Sequence, residues 1–152
     1  MKRMKRMFGL ILASLMVLSM IGCSGKEQST TLIYEESGVT MEYKMDAKGD
    51  IVHTITQTTT LDCSDFSEED IAAFQALIDQ TSVSYAEYEG VTYESDFENS
   101  ILKEVITIDA SDSDTLTGLS EAGLLPLEGD STKISLKKTI EALENQGWSV
   151  QE

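Results

Sequence analysis

VTMEYKMDAKGDIVHTITQTTTL, residues 39–61, decides the fold. Val39, Met41, Tyr43 and Met45 alternate with Thr40, Glu42, Lys44 and Asp46. Successive side chains of a strand point to opposite faces, so this period of two puts the apolar set on one side of a sheet. Ala47-Lys48-Gly49-Asp50 interrupts the alternation, and Gly49 can take a positive φ without a Cβ penalty. Ile51 to Leu61 then returns as a threonine-rich strand. Two adjacent strands joined by a tight turn must run antiparallel. Thr54, Thr56, Thr58 and Thr60 share one face and read as a solvated row that uses threonine's strand preference.

The same logic extends outward in both directions. Thr31 to Glu36 reads as an earlier strand, separated by Ser37-Gly38. Downstream, Ser67 is a good N-cap for a helix that opens Glu68-Glu69-Asp70, where acids complement the positive helix end. Ile71, Phe74, Leu77 and Ile78 give that helix one apolar stripe, and its end is expected near Thr81. Tyr85 and Tyr88 fall in an acidic connector before Gly90. Val91, Tyr93, Ser95 and Phe97 alternate with polar residues, Glu98-Asn99-Ser100 turns the chain, and Ile101 to Ala110 returns. A short helix is expected from a cap at Asp114 through Glu121, ended by Gly123. Ser135 caps a last helix striped by Leu136, Ile140 and Leu143. Gly147 is placed to end it, with Trp148 folding back over Leu143.

Together these elements predict an α+β fold: an antiparallel β-sheet of about four to six strands packed against two or three α-helices, after an N-terminal signal peptide. Residues 1–22 carry the export signal. MKRMKR supplies the positive start, and the apolar run from Met7 to Ile21 follows. A helix of that length reaches roughly 22 Å, short of the ~30 Å hydrocarbon core. Residues 23–30 read as a lipidated cysteine and flexible polar tether, and 31–152 as a single domain.

Met20-Ile21-Gly22-Cys23 resembles the lipobox of bacterial lipoproteins, with Met20 where leucine is usual. The resemblance implies cleavage between Gly22 and Cys23 and a diacylglyceryl thioether on the Cys23 thiol. A small residue at Gly22 leaves room for the peptidase.

Charge constrains the partners. The chain has 11 Lys+Arg and 27 Asp+Glu; Lys2, Arg3, Lys5 and Arg6 precede Cys23, leaving 7 basic and 27 acidic residues after it, a net of −20. Such a chain is repelled by nucleic-acid phosphates and anionic lipid heads, so membrane attachment is expected from lipid on Cys23 alone.

Chemistry is thin. His53 is the only histidine and is expected on the face of Ile51 and Ile55, as a packed or edge-strand residue. Asp109, Asp112 and Asp114 lack the ligand spacing of a calcium loop and read as polar loop or helix cap. No zinc ligand set, nucleophile motif or phosphate-cradling loop is present in the sequence, so no catalytic residue, metal or cofactor is assigned. Cys63, left without a partner once Cys23 is lipidated, reads as a buried small apolar residue.

The whole layout resembles the YehR-like bacterial lipoproteins. The matching features are the lipoprotein signal, the threonine-rich strand pair, the acid-capped helix, the strand pair ending VITID, and Gly129-Asp130-Ser131 followed by ISLKKTIEALENQGW. The resemblance implies a small α+β domain and no activity. The expected role is a membrane-anchored, non-enzymatic binding or accessory domain of the cell envelope. It would face an unknown envelope protein or small ligand, at the outer membrane if the organism has one. The alternatives are a small envelope hydrolase using His53 and scattered acids, or a structural partner of another envelope protein.

Overall fold

The computed structural model describes residues 25–125 and 132–151. The signal segment, Gly22, Cys23 and Gly129-Asp130-Ser131 therefore lie outside the described residues.

Strands β1 (Glu27–Glu36), β2 (Val39–Lys48) and β3 (Ile51–Asp62) form a meander. Helix α1 (Glu68–Tyr85) follows, then the hairpin β4 (Val91–Glu98) and β5 (Ile101–Asp109). Helix α2 (Ser113–Glu121), the short strand β6 (Ile134–Ser135), helix α3 (Leu136–Glu144) and the short strand β7 (Ser149–Val150) complete the order. The sheet runs β4-β5-β3-β2-β1-β7, with β6 on β3, and every strand pairing among the described residues is antiparallel. The sheet thus has seven strands among the described residues, against the four to six expected. The excess is β6 and β7, two residues each and too short to show a periodicity.

The alternation read in β2 holds: Val39, Met41, Tyr43, Met45 and Ala47 are all buried. Opposite them on β3 lie Leu61, Thr59, Gln57, Ile55 and Val52. That last step is irregular. Asp46 pairs with Thr54 but Ala47 pairs with Val52, so His53 is an extra residue in a β-bulge. The bulge overturns the expected facing of His53. Val52 and Ile55 are buried while the His53 ring is part-exposed beside Glu27 and Thr54. A period-two reading cannot see an inserted residue, which shifts every upstream side chain to the other face.

The boundary of the tether also moves. β1 begins at Glu27, inside the segment 23–30 read as flexible, and Glu27 to Thr30 pair in register with Lys48 to Met45. Their small polar side chains resemble a linker, but it is the backbone that joins the ladder. Gly25 packs so closely on the β2–β3 turn that a Cβ there would lie 2.2 Å from the Gly49 Cα.

Helix α1 has the expected cap. The Ser67 hydroxyl accepts from the Asp70 N–H at 3.2 Å, and the Asp70 carboxylate accepts from the Ser67 N–H at 3.4 Å. The helix continues to Tyr85 rather than ending near Thr81. The Thr81 and Ser84 hydroxyls donate back to the carbonyls of Leu77 and Gln80, so they spend their polar groups inside the helix instead of breaking it. Phe74, Ile78 and Tyr85 form its buried edge.

Helix α2 starts one cap earlier than expected. Asp112, not Asp114, accepts from the N–H groups of Asp114 and Thr115. Helix α3 begins at Ser135 as read, with the Ser135 hydroxyl accepting from the Lys138 N–H. Asp50 reinforces this cap from the β2–β3 turn: its carboxylate accepts from the Ser135 hydroxyl at 2.6 Å and from the Lys137 N–H at 2.8 Å. The helix closes as read. Gly147 has φ 96°, its N–H donates to Glu144, and the Trp148 N–H donates to Leu143 at 3.1 Å, the Schellman pattern.

Candidate functional site

The core face of the sheet carries two adjoining cross-strand rows. One runs Leu32, Tyr43, Gln57, Ile106, Tyr93, and the next runs Tyr34, Met41, Thr59, Glu104, Ser95. Most of these positions are apolar, as a buried face requires. Gln57, Thr59 and Ser95 are polar but uncharged; Glu104 is the one carboxyl, 8% exposed on a strand whose alternation reserves that side for Leu102, Ile106 and Ile108.

Tyr93 on β4 donates its hydroxyl to Glu104 Oε1. Tyr85, the last residue of α1, stacks on Tyr93 with ring centroids 6.0 Å apart and planes 12° from parallel. Tyr43 completes the group from β2. It is 2% exposed and its hydroxyl has no hydrogen-bond partner. The extension of α1 to Tyr85 is what roofs this cluster.

Electrostatics follow from burial. Desolvation raises the Glu104 carboxyl above the ordinary glutamate range, and the Tyr93 hydrogen bond only partly offsets it. Burial likewise raises Tyr43, Tyr85 and Tyr93, with the neighbouring Glu104 carboxylate adding to the last two. The cluster therefore favours its neutral forms. Because the folded state holds the Glu104 proton more tightly than the unfolded chain, stability falls as pH rises from the unfolded value near 4.5, and the loss is complete above the folded one. Glu104→Gln keeps an acceptor for Tyr93 and cannot ionise. It is expected to stabilise the domain by ~1 kcal/mol at pH 7, with the gain fading toward pH 4. Thermal unfolding of both proteins across that range measures it; a gain independent of pH would show that ionisation of Glu104 plays no part.

The residues singled out from sequence do not join this cluster. The His53 ring lies 3.1 Å from Glu27 Oε2 and 3.1 Å from Thr54 Oγ1, at the β2–β3 turn end of the sheet. Thr54, Thr56, Thr58 and Thr60 occupy the face opposite the core and are half-buried. Asp109 accepts from Ser111, and Asp112 is spent capping α2, so both carboxylates serve local turns. Cys63 is buried, donates to the Leu61 carbonyl, and its thiol is raised by desolvation, the reverse of an activated nucleophile. Trp148 packs between Tyr34 and Tyr43, at 5.6 and 6.2 Å, as part of the core. An open hollow of about 430 Å³ at the far end, lined by Glu35, Glu36, Val39, Thr60, Asp62 and Ile101, sets carboxylates beside hydroxyls and two aliphatic side chains. Sequence reasoning missed Glu104. Its one signal was a glutamate at a core-side position of the alternation in ILKEVITID.

Fold and site define a class: a two-layer α+β domain whose antiparallel sheet packs its helices against the core face and encloses an acid–phenol cluster. The chain belongs to the family described as "Protein of unknown function (DUF1307)", whose model matches residues 28–149. An uncharacterized lipoprotein, Lmo0207 of Listeria monocytogenes, is 21% identical over 154 residues, covering 97% of each chain. The solution structure of the YehR protein of E. coli matches with a TM-score of 0.63 at 20% identity, over 84% of this chain and 93% of that one. A Streptococcus pneumoniae protein matches at 0.49 and 16% identity. The YehR-like resemblance and the α+β fold read from the sequence therefore stand.

Proposed function

We propose that this chain is an exported lipoprotein of the cell envelope, cleaved before Cys23 and held to a membrane by lipid on that cysteine. The observation that carries it is the order of basic start, short apolar run, Gly22 and Cys23. The end-to-end match to a relative named as a lipoprotein supports it. No helix among the described residues is long and apolar enough to cross a membrane, so the domain itself offers no second anchor of that kind. In a bacterium with two membranes, Ser24 after the cysteine favours the outer one.

The domain acts as a non-enzymatic binding or accessory module. Desolvation raises its buried carboxyl, its described thiol is desolvated, and its histidine stands at the opposite end of β3 from Cys63. These groups are dispersed rather than assembled for acid–base or nucleophilic work. Mass analysis of the mature N-terminal peptide tests the anchoring. The expected peptide begins at Cys23 and carries a diacylglyceryl mass; an unmodified peptide running through Gly22-Cys23 would overturn it.

A further inference from the structure

Three of the seven lysines that follow Cys23 crowd one end of the sheet. The Lys26 carbonyl accepts from the Gly49 N–H, Lys48 pairs with Glu27, and the Lys137 N–H donates to Asp50. Lys26, Lys48 and Lys137 are thus brought to the β2–β3 turn, and all three are exposed. Lys133 stands just before β6, which pairs with Ile51 and Val52 at the same turn. The acids nearby are partly occupied: Asp50 caps α3, Glu27 meets His53, and Asp46 pairs with Lys44. Asp109 and Asp112, at and just past the neighbouring end of β5, bond Ser111 and the start of α2. These carboxylates keep their charge, so the lysines bring this end close to balance rather than to a net positive charge.

The other end of the strands is different. Glu35, Glu36, Asp62, Asp65, Glu68 and Glu69 gather around the β1–β2 turn and the start of α1. β3 has twelve residues, so the two ends are separated by roughly 35–40 Å at about 3.3 Å per residue. Charges farther than about 8 Å are largely screened at physiological salt. A membrane touching the lysine end therefore does not feel the net of −20, and whole-chain charge does not decide how this protein meets a lipid surface.

The lysine end is also where the chain departs toward Cys23. Only Ser24 and Gly25 separate Cys23 from Lys26, a span of at most ~11 Å between the two Cα atoms. We propose that the β2–β3 turn end, through Lys26, Lys48 and Lys137, is the face this domain lays on the anionic headgroups of its own membrane. This rests on Cys23 being lipidated; the lysine-bearing end then fixes which way the anchored domain stands, with its strongly acidic end outward.

The test uses mature lipoprotein purified from its envelope and placed in vesicles of phosphatidylcholine alone or with phosphatidylglycerol added. Flotation with the vesicles reads the anchor. Amine acylation, mapped by mass spectrometry, reads the orientation. Lys48 and Lys137 are expected to react roughly fivefold more slowly on the anionic vesicles, the ratio a headgroup contact near 1 kcal/mol per lysine gives. Lys44 and Lys103 serve as references and are expected to keep their rates. Protein that floats on both vesicles with equal rates at Lys48 and Lys137, or with all lysines slowed alike, overturns the orientation and leaves the anchor standing. Protein that floats with neither overturns the anchor and the orientation together. In the doubly charge-reversed Lys48→Glu, Lys137→Glu protein, the protection of Lys26 is expected to vanish while flotation persists; protection that survives also overturns the orientation.

Discussion

Cys23→Ser is expected to move the protein out of the membrane fraction. One acyl chain holds a protein to a bilayer only marginally, whereas a diacylglyceryl group brings two, at ~0.8 kcal/mol for each buried methylene. A serine offers no thiol for the thioether and blocks the lipoprotein-specific cleavage that depends on it. Without lipid, three lysines at the β2–β3 turn supply on the order of 3 kcal/mol of headgroup attraction, too little for stable retention. The apolar run from Met7 to Ile21, at roughly 22 Å, is short for a spanning helix. Membrane fractionation after a salt and carbonate wash reads the result. A Cys23→Ser protein that stays fully in the washed membrane would mean that the apolar run itself anchors the chain.

Trp148→Ala is expected to be the most damaging single change within the described domain, at about 3–5 kcal/mol. Trp148 is 7% exposed, and its ring contacts Tyr34 on β1 and Tyr43 on β2. Its backbone N–H closes α3. The indole thus couples the end of α3 to the sheet, and truncation opens a large cavity beside the already unbonded Tyr43 hydroxyl. A fall in Tm of roughly 10–20 °C corresponds to that loss for a domain of this size. Urea unfolding followed by circular dichroism checks it, with the midpoint reduced and the slope unchanged. Trp148 is the only tryptophan, so its own fluorescence cannot serve. A loss below 1 kcal/mol would show that the ring is peripheral to the core.

Much of this architecture was legible because local rules and the tertiary fold agree. The strict alternation in β2, the glycine at its turn and the Ser135 and Gly147 caps each have one physical reading, and each is realised. What escaped was set by distant partners. β1 starts at Glu27 because Lys48 to Met45 are there to pair with it, which nothing in Glu27 to Thr30 announces. His53 changes face because of a bulge against β2. Asp50 looks like an ordinary turn residue and instead holds a helix 85 residues away in the chain. The Glu104 cluster needed four residues from β2, α1, β4 and β5 to meet. The lysine end stayed hidden for the same reason: Lys26, Lys48 and Lys137 are far apart in sequence, and a summed charge has no direction.

The pairing of β7 with β1 carries a consequence in time. Leu32 and Ile33 face Val150 and Ser149, and the Gln151 N–H donates to the Thr31 carbonyl at 2.9 Å. Trp148 lies just before this pairing. A chain being made from its N-terminus completes β1 early but lacks both the strand and the indole that seal it. Sheet closure thus waits for Trp148 to Gln151, and loop closure over more than a hundred intervening positions slows it further.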